Sequence, residues 1–256
     1  MEQSKLFVLS IAGFDPSSGA GITSDIKTFE ANGVYGLSVC TAVTVQNDIN
    51  LEQCFWLPQD LIQDQITTLF GRFKIEVVKI GIIESWEFLQ QLVRLLKRLN
   101  PDIKIVLDTV LKASSGFDFH KKSNIPVILE VFKVCFCITP NYDEIKTFYP
   151  EKCVHEIAET LSENTIVFIK GGHRKDKRGW DDMYVKGALQ KSFTPGHLKV
   201  YDKHGSGCVL SAALASNLAK RLPLETAYKQ AKEYTESFLN SSLTLLGVHN
   251  YKENDK

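Results

Sequence analysis

Five residues, His204-Gly205-Ser206-Gly207-Cys208, run directly into the helical pattern Val209-Leu210-Ser211-Ala212-Ala213-Leu214-Ala215. Small side chains let a backbone approach a ligand closely, and glycine takes a positive φ at little cost. The first N–H groups of a helix have no intrahelical acceptor, so they point ahead of it, and the helix dipole adds positive character there. A phosphate or a developing oxyanion suits such a place. Cys208 falls just inside the helix start, where a thiol is expected to ionise more readily than the ~8.5 of a free cysteine. The plainer reading is a glycine-rich helix entry with a buried cysteine, a residue type often found inside. This stretch alone does not choose between them.

Other residues with usable chemistry fall where strands are expected to end. Gly13 and Asp15 follow the first apolar run, with Asp25 one helical turn beyond the loop Gly13-Phe14-Asp15-Pro16-Ser17-Ser18-Gly19-Ala20-Gly21. That loop is not a Walker A sequence, since no Gly-Lys-Ser/Thr closes it. Nor does it carry the dinucleotide fingerprint, because its first two glycines are six residues apart. Later strand ends supply Gln46-Asn47-Asp48, Gly81, Asp108-Thr109, Asn141 and Lys170-Gly171-Gly172. In open α/β sheets the ligand crevice lies at the carboxyl ends of the strands, so this line of carboxylates, amides and a lysine favours a functional cleft. Gln46 offers donors and acceptors suited to a heteroaromatic edge. Asn141 and Glu144, three apart, are hard oxygen donors of the kind that suits Mg²⁺. Read locally, the same pair is an N-cap with its capping-box partner. Cys135 and Cys137 are read as core on one strand face, with no histidine at metal-ligand spacing.

The elements that must position these residues alternate. Strands are expected over 6–12, 37–45, 51–57, 77–80, 103–107, 134–138 and 165–169, with a hairpin formed by 183–189 and 192–200. Helical spacing follows the first loop up to Asn32-Gly33, then recurs after Pro58, over 88–96, 126–133, 144–148, 155–161 and 208–221, and from Pro223 to about Leu246. Alternation of this kind implies a mainly parallel sheet covered on both faces. With no repeat, low-complexity segment or linker, residues 1–256 are expected to form one domain, with the polar stretch 251–256 frayed.

Composition excludes several function classes. Lys plus Arg and Asp plus Glu stand at 30 each, so neither a basic surface for nucleic acid nor an acidic tail is indicated. No apolar run approaches the ~20 residues of a membrane helix. Met1-Glu2-Gln3-Ser4-Lys5 leads straight into the first apolar run, so no secretory leader is expected, and the six scattered cysteines fit free thiols in the cytoplasm.

Taken in order, the chain resembles the hydroxymethylpyrimidine/phosphomethylpyrimidine kinases of thiamine biosynthesis, in the ribokinase-like superfamily. The resemblance rests on Ile11 to Gly21, Asp25-Ile26-Lys27-Thr28-Phe29, Tyr35-Gly36, Thr41-Ala42 through Gln46-Asn47, and Lys79-Ile80-Gly81. It continues through Leu107-Asp108-Thr109-Val110, Thr139-Pro140-Asn141 with Glu144, Lys170-Gly171-Gly172-His173, and His204 to Cys208. It implies a three-layer α/β/α fold and transfer of the ATP γ-phosphoryl to the hydroxymethyl group of an aminopyrimidine. By the family pattern Gly13, Asp25, Gln46 and Val110 would hold the pyrimidine, and Gly205, Ser206, Gly207 and Cys208 would form the catalytic anion hole. Cys208 would stand where most superfamily kinases place an aspartate base. Asp108, Asn141 and Lys170 would face the nucleotide, Asn141 and Glu144 would organise Mg²⁺, and a homodimer would be expected.

Two departures stand out. Leu111-Lys112-Ala113-Ser114-Ser115-Gly116 replaces the family's Met-x-x-Lys-Ser-Gly, which puts the second phosphorylation, of the monophosphate, in question. Ile82 stands where methionine is usual. Pyridoxal kinases of the same branch are the nearest competing reading. A pyrimidine-binding protein without catalysis, and a hydrolase using Cys208 as nucleophile with His204 or His173 as base, are the others.

Overall fold

The computed structural model describes residues 5–112, 116, 119, 124–172, 174, 176–196 and 200–249. One nine-stranded sheet runs in the order β3-β2-β1-β4-β5-β6-β7-β8-β9. Its centre is parallel and comprises β2 (Tyr35–Gln46), β1 (Phe7–Phe14), β4 (Ile75–Ile80), β5 (Lys104–Leu107), β6 (Cys137–Ile138) and β7 (Ile166–Ile169). Antiparallel strands close both edges: β3 (Leu51–Trp56) on one, and β8 (Asp181–Val185) with β9 (Ala188–Phe193) on the other. From β1 the chain turns outward to β2 and then returns to the opposite side as β4. The carboxyl ends of β1 and β4 therefore flank the point where the strand order reverses, the usual ligand crevice of such sheets.

The two faces of the sheet carry separate cores. One packs Leu9, Ile11, Val78, Ile80, Ile105, Leu107, Ile138 and Val167 against α2 (Gln59–Phe70), α3 (Trp86–Leu99), α4 (Ile125–Val134), α5 (Tyr142–Lys146) and α6 (Val154–Ser162). The other packs Val8, Val77, Val106, Cys137 and Phe168 against α1 (Gly21–Ala31), α7 (Ser206–Ala219) and α8 (Leu224–Leu239). This is the three-layer α/β/α arrangement expected. Within the second layer α7 is buried on every side from Val209 to Ala219, and Ala212, Ala213 and Ala215 keep its flanks thin enough to lie close to the sheet. α3 shows the opposite pattern, with an apolar stripe inward and charge outward, and its Ser85 side chain caps the Phe88 N–H.

Several boundaries differ from the sequence reading. β1 continues through Gly13 to Phe14, so Gly13 belongs to the strand and not to the loop. The edge hairpin lies earlier than expected: its turn is Lys186-Gly187, both at positive φ, and Val185 pairs with Ala188. Such a two-residue turn matches the strand twist. β6 has two residues, because Val134 still belongs to α4 and Cys135 caps that helix. Cys135 and Cys137 consequently enter different cores and do not share a strand face. α8 stops at Leu239, not near Leu246; Asn240 caps it and the Ser241 hydroxyl turns back to the Phe238 carbonyl. The 251–256 tail and half of the Leu111–Gly116 departure (113–115) lie outside the described residues.

Candidate active site

Strand side chains alternate between faces, and on the α1/α7 face the apolar series of four strands ends in polar groups. Val8 is followed by Ser10, Val77 by Lys79, Val106 by Asp108 and Phe168 by Lys170. Asp108 and Lys170 thus sit under the start of α7, while Ser10 and Lys79 meet Asp25 on α1. Asp108 is nearly inaccessible and collects Lys170 Nζ (2.8 Å) and the hydroxyls of Thr139 (3.2 Å) and Ser211 (3.0 Å). Burial works against its charge, but Lys170, Lys79 and the Ser211 hydroxyl hold its carboxyl below the usual carboxylate range. Burial likewise opposes the charge on Lys170, yet Asp108 and Glu144 raise it above its ordinary value, so the pair is ionised at neutral pH.

Asn141 stands three residues past the end of β6, as the N-cap of α5. Its side-chain oxygen accepts the N–H groups of Asp143 and Glu144, and the Glu144 carboxylate accepts the Asn141 N–H at 2.8 Å. The capping box read locally from the sequence is therefore present. The same carboxylate faces the Thr109 hydroxyl at 3.5 Å and feels both Lys170 and Asp108, so the cap stands at the edge of the charged cluster. Burial raises its pKa, with Lys170 opposing. Among the described residues no group of three or more His, Cys, Asp and Glu side chains could hold a metal ion.

The head of α7 is locked to the β1–α1 loop. Gly205 is the N-cap with φ 75°, and a Cβ there would meet the Gly19 carbonyl oxygen at 2.0 Å. Glycine is needed on both counts. Next to it His204 Nε2 meets Asp15 Oδ2 at 2.8 Å, and Asp15 also accepts the Ser17 and Ala20 N–H groups at 2.8 Å each. Through this contact His204 ties the head of α7 to the β1–α1 loop. His173 lies outside the described residues. Ser206, Gly207 and Cys208 remain partly accessible, and a Cβ at Gly207 would stand 3.4 Å from Lys170 Nζ. The unpaired N–H groups of the helix start, the lysine and the buried aspartate thus converge.

The substrate-side residues are less uniform. Asp25 is fully buried on α1, with Lys79 Nζ at 2.8 and 3.0 Å and the Ser10 hydroxyl at 2.5 Å. The sequence reading did not anticipate this engagement. Gly13 packs on Ile82, whose Cδ1 would lie 2.5 Å from an added Cβ. Val110 is partly exposed just past β5. Gln46 ends β2 on the edge hairpin, and no hydrogen bond among the described residues ties it to the others. The expected acidity of Cys208 is not what the structure gives. Burial pushes its thiol above the ordinary value, Lys79 and the Gly21 N–H pull it down, and Asp25 and Asp108 push it up again. Burial above all, and then these two carboxylates, outweigh the helix start.

Missed in the sequence were Ser10, Thr139 and Ser211 as partners of the two carboxylates. Lys79 entered only through the motif Lys79-Ile80-Gly81; as one charge in an apolar run it also signals that a buried partner must exist elsewhere.

A helix head aimed at a buried Lys–Asp pair, at the carboxyl ends of a doubly wound parallel sheet, is the arrangement of a phosphoryl-transfer enzyme, which works mostly by positioning and charge stabilisation. The sequence profile of the phosphomethylpyrimidine kinase family matches residues 15–252. The chain belongs to that family and is a kinase. It is 34% identical to the hydroxymethylpyrimidine/phosphomethylpyrimidine kinase of Aquifex aeolicus, over 92% of this chain and 95% of the relative. The crystal structure of phosphomethylpyrimidine kinase from Clostridium difficile superposes with TM-score 0.76 at 31% identity, covering 90% of this chain and 98% of that one. Bacillus subtilis pyridoxal kinase, solved as an ADP complex, gives TM-score 0.81 at 25% identity, with 94% of both chains covered.

Gly205→Ala is expected to lower the thermal midpoint by several degrees, since a left-handed alanine costs roughly 1–2 kcal/mol before any clash. It is also expected to cut turnover about 100-fold by displacing the helix-start donors. Calorimetry and a coupled ADP-release assay check both; parental turnover would show that the helix head is not the transfer site.

Proposed function

We propose that the chain catalyses ATP-dependent phosphorylation of the hydroxymethyl group of 4-amino-5-hydroxymethyl-2-methylpyrimidine, a step of thiamine biosynthesis, with the monophosphate as a second acceptor. Its family membership supports the substrate class. The observation that carries the chemistry is the convergence of the α7 head on the Lys170–Asp108 pair. In this reading the N–H groups of Ser206, Gly207 and Cys208, presented by the Gly205 cap, receive the transferred phosphoryl. Lys170 lies on the phosphate side and Asp108 holds it in place, while Asn141 borders the nucleotide. Gly13, Gln46 and Val110 line the pyrimidine's place, and Asp25 acts from beneath it. Residues 1–256 work as one catalytic domain.

Mg²⁺ fits this residue set. It asks for one or two carboxylates, keeps several waters and leans on substrate phosphates, so the lack of a three-residue cage among the described residues is no obstacle. Glu144 and Asn141 would hold it through its waters. Bound with ATP, the ion would draw charge from the phosphate oxygens.

Two further parts of the reading concern assembly and place. Tyr35, Val43, Val45 and Phe55 are exposed, with Val43 and Phe55 directly opposite each other on the edge hairpin. In the proposed homodimer this apolar face is covered by a second copy. Sedimentation should show a dimer that Phe55→Asp converts to monomer; a monomeric parent would refute it. No helix among the described residues is long and apolar enough to cross a membrane, in keeping with the cytoplasmic location proposed.

Mass spectrometry of products from the pyrimidine alcohol, ATP and Mg²⁺ should show a gain of one phosphate, then two. The likeness to pyridoxal kinase makes pyridoxal the control, and a product from pyridoxal alone would reassign the enzyme.

Cys208 is proposed as acceptor of the hydroxyl proton. Because its thiol titrates above the ordinary value, thiolate is a minor fraction at neutral pH and grows about tenfold per pH unit below the pKa. The rate at saturating substrates should therefore climb from pH 7 through about 8.5. Cys208→Ala should lose ~10²–10⁴-fold, and Cys208→Asp should retain part of the rate with a flat profile over the same range. A parental rate in Cys208→Ala would remove the thiol from the chemistry.

A further inference from the structure

A second set of buried charges, on α8 and the start of β8, takes no part in the chemistry described so far. Lys232 Nζ meets Asp181 Oδ2 at 3.0 Å and Glu236 Oε1 at 3.1 Å, and it donates to the Gly179 carbonyl at 2.6 Å. All three side chains are buried. Apolar residues of similar volume often serve stability as well as a buried ion pair does, so the trio calls for another account. Its remaining carboxylate oxygens supply one, because each holds the N–H of a glycine. Asp181 Oδ1 accepts from Gly171 at 2.7 Å, and Glu236 Oε2 accepts from Gly196 at 2.8 Å.

The Gly171 N–H belongs to the peptide that directly follows Lys170. On the other side of that lysine, its own N–H donates to the Pro140 carbonyl at 2.9 Å. The Gly171 carbonyl accepts the Arg174 and Gly179 N–H groups at 3.1 and 2.9 Å, and Lys232 grips the carbonyl of the same Gly179. A Cβ at Gly171 would run into the Trp180 carbonyl, so this neck is closed tightly. Helix and strand also match in spacing. Tyr228 and Lys232 lie one turn apart on α8 and therefore share a face. Tyr228 stacks on Phe168 with ring centroids 4.1 Å apart, and Phe168 stands two residues before Lys170. α8 thus holds the end of β7 by an aromatic stack and, one turn on, by Lys232 acting through Asp181. Burial raises the Asp181 carboxyl above its ordinary value, and the Lys232 charge is the chief effect opposing this. Without the ammonium the carboxyl would take up a proton more readily, and a hydrogen bond to a neutral acceptor is roughly half as strong.

We propose that Lys232 is a positioning residue for phosphoryl transfer: through Asp181 it fixes the peptide after Lys170, and with it the place at which the Lys170 ammonium meets the phosphates beside the head of α7. Lys232 itself touches neither substrate. The proposal deepens the reading of Lys170 as the lysine on the phosphate side and rests on it.

The test is a double-mutant cycle in the full chain, read as kcat/KM for ATP with the pyrimidine alcohol as acceptor, at a temperature where every variant is folded. Effects that run through one shared residue are not additive, whereas independent ones are. A small misplacement of a positioned group costs up to about 100-fold. Lys232→Met is expected to lower kcat/KM about tenfold in the parent. In the Lys170→Gln background, where the positioned ammonium is gone, the same change is expected to cost less than about twofold. A lysine that only supports the fold would cost the same factor in both backgrounds. That result, or a parental kcat/KM in Lys232→Met, would overturn the proposal. If Lys232→Met does not fold, the Lys232→Met/Glu236→Gln variant, which keeps the net charge of the trio, carries the same comparison in both backgrounds. A parental kcat/KM in Lys170→Gln alone would instead defeat the underlying reading of Lys170.

Discussion

A parallel strand covered on both faces shows alternate residues to two different cores, and everything at this site follows from how one of those faces ends. On the side of α1 and α7 the strands begin apolar and finish with Ser10, Lys79, Asp108 and Lys170. A shift of one residue in any strand would send its polar terminus into the opposite core, where α3 and α4 offer it no partner. The register between β1, β4 and β5 therefore protects the charged cluster as much as the hydrophobic packing. Breaking a buried pair in such a cluster leaves an uncompensated charge at a cost of about 3–5 kcal/mol.

The second requirement is that a helix head come down onto this cluster without a side chain in the way. α7 achieves it with alanines along its flanks and glycines at its start. Asp15 then ties the β1–α1 loop to His204, joining the loop to the helix head. Glu144 and Asn141 form a structural device at the edge of the charged cluster. Their capping box begins α5, and the same carboxylate borders Lys170 and Thr109. Local sequence and family resemblance pointed to different roles for this pair; the structure shows the capping box, and the metal role is the one proposed above.

Much of the architecture was legible in the residues. Apolar runs of strand length alternating with helical spacing led to the parallel sheet, and the polar strand ends led to the crevice. What escaped detection depends on contacts distant in sequence. Lys79 and Asp25 are 54 residues apart, and nothing near either names the other. The acidity of Cys208 was misjudged for the same reason, because the helix start is local, whereas the burial that raises the thiol, and the carboxylates that add to it, come from distant parts of the chain. Boundary errors have local causes. A lysine in the first place of the Lys186-Gly187 turn hid the hairpin's centre. Leu243 and Leu246 continued the spacing of α8 past the serines that end it.

The account stands or falls on where the γ-phosphate lies. A crystal structure with a non-hydrolysable ATP analogue, Mg²⁺ and the pyrimidine alcohol tests it most directly. The γ-phosphate should accept hydrogen bonds from the N–H groups at the start of α7, with Lys170 beside it and the alcohol's hydroxyl between the phosphorus and the Cys208 sulfur. A γ-phosphate bound away from residues 205–208, or an alcohol whose hydroxyl faces away from Cys208, would contradict it.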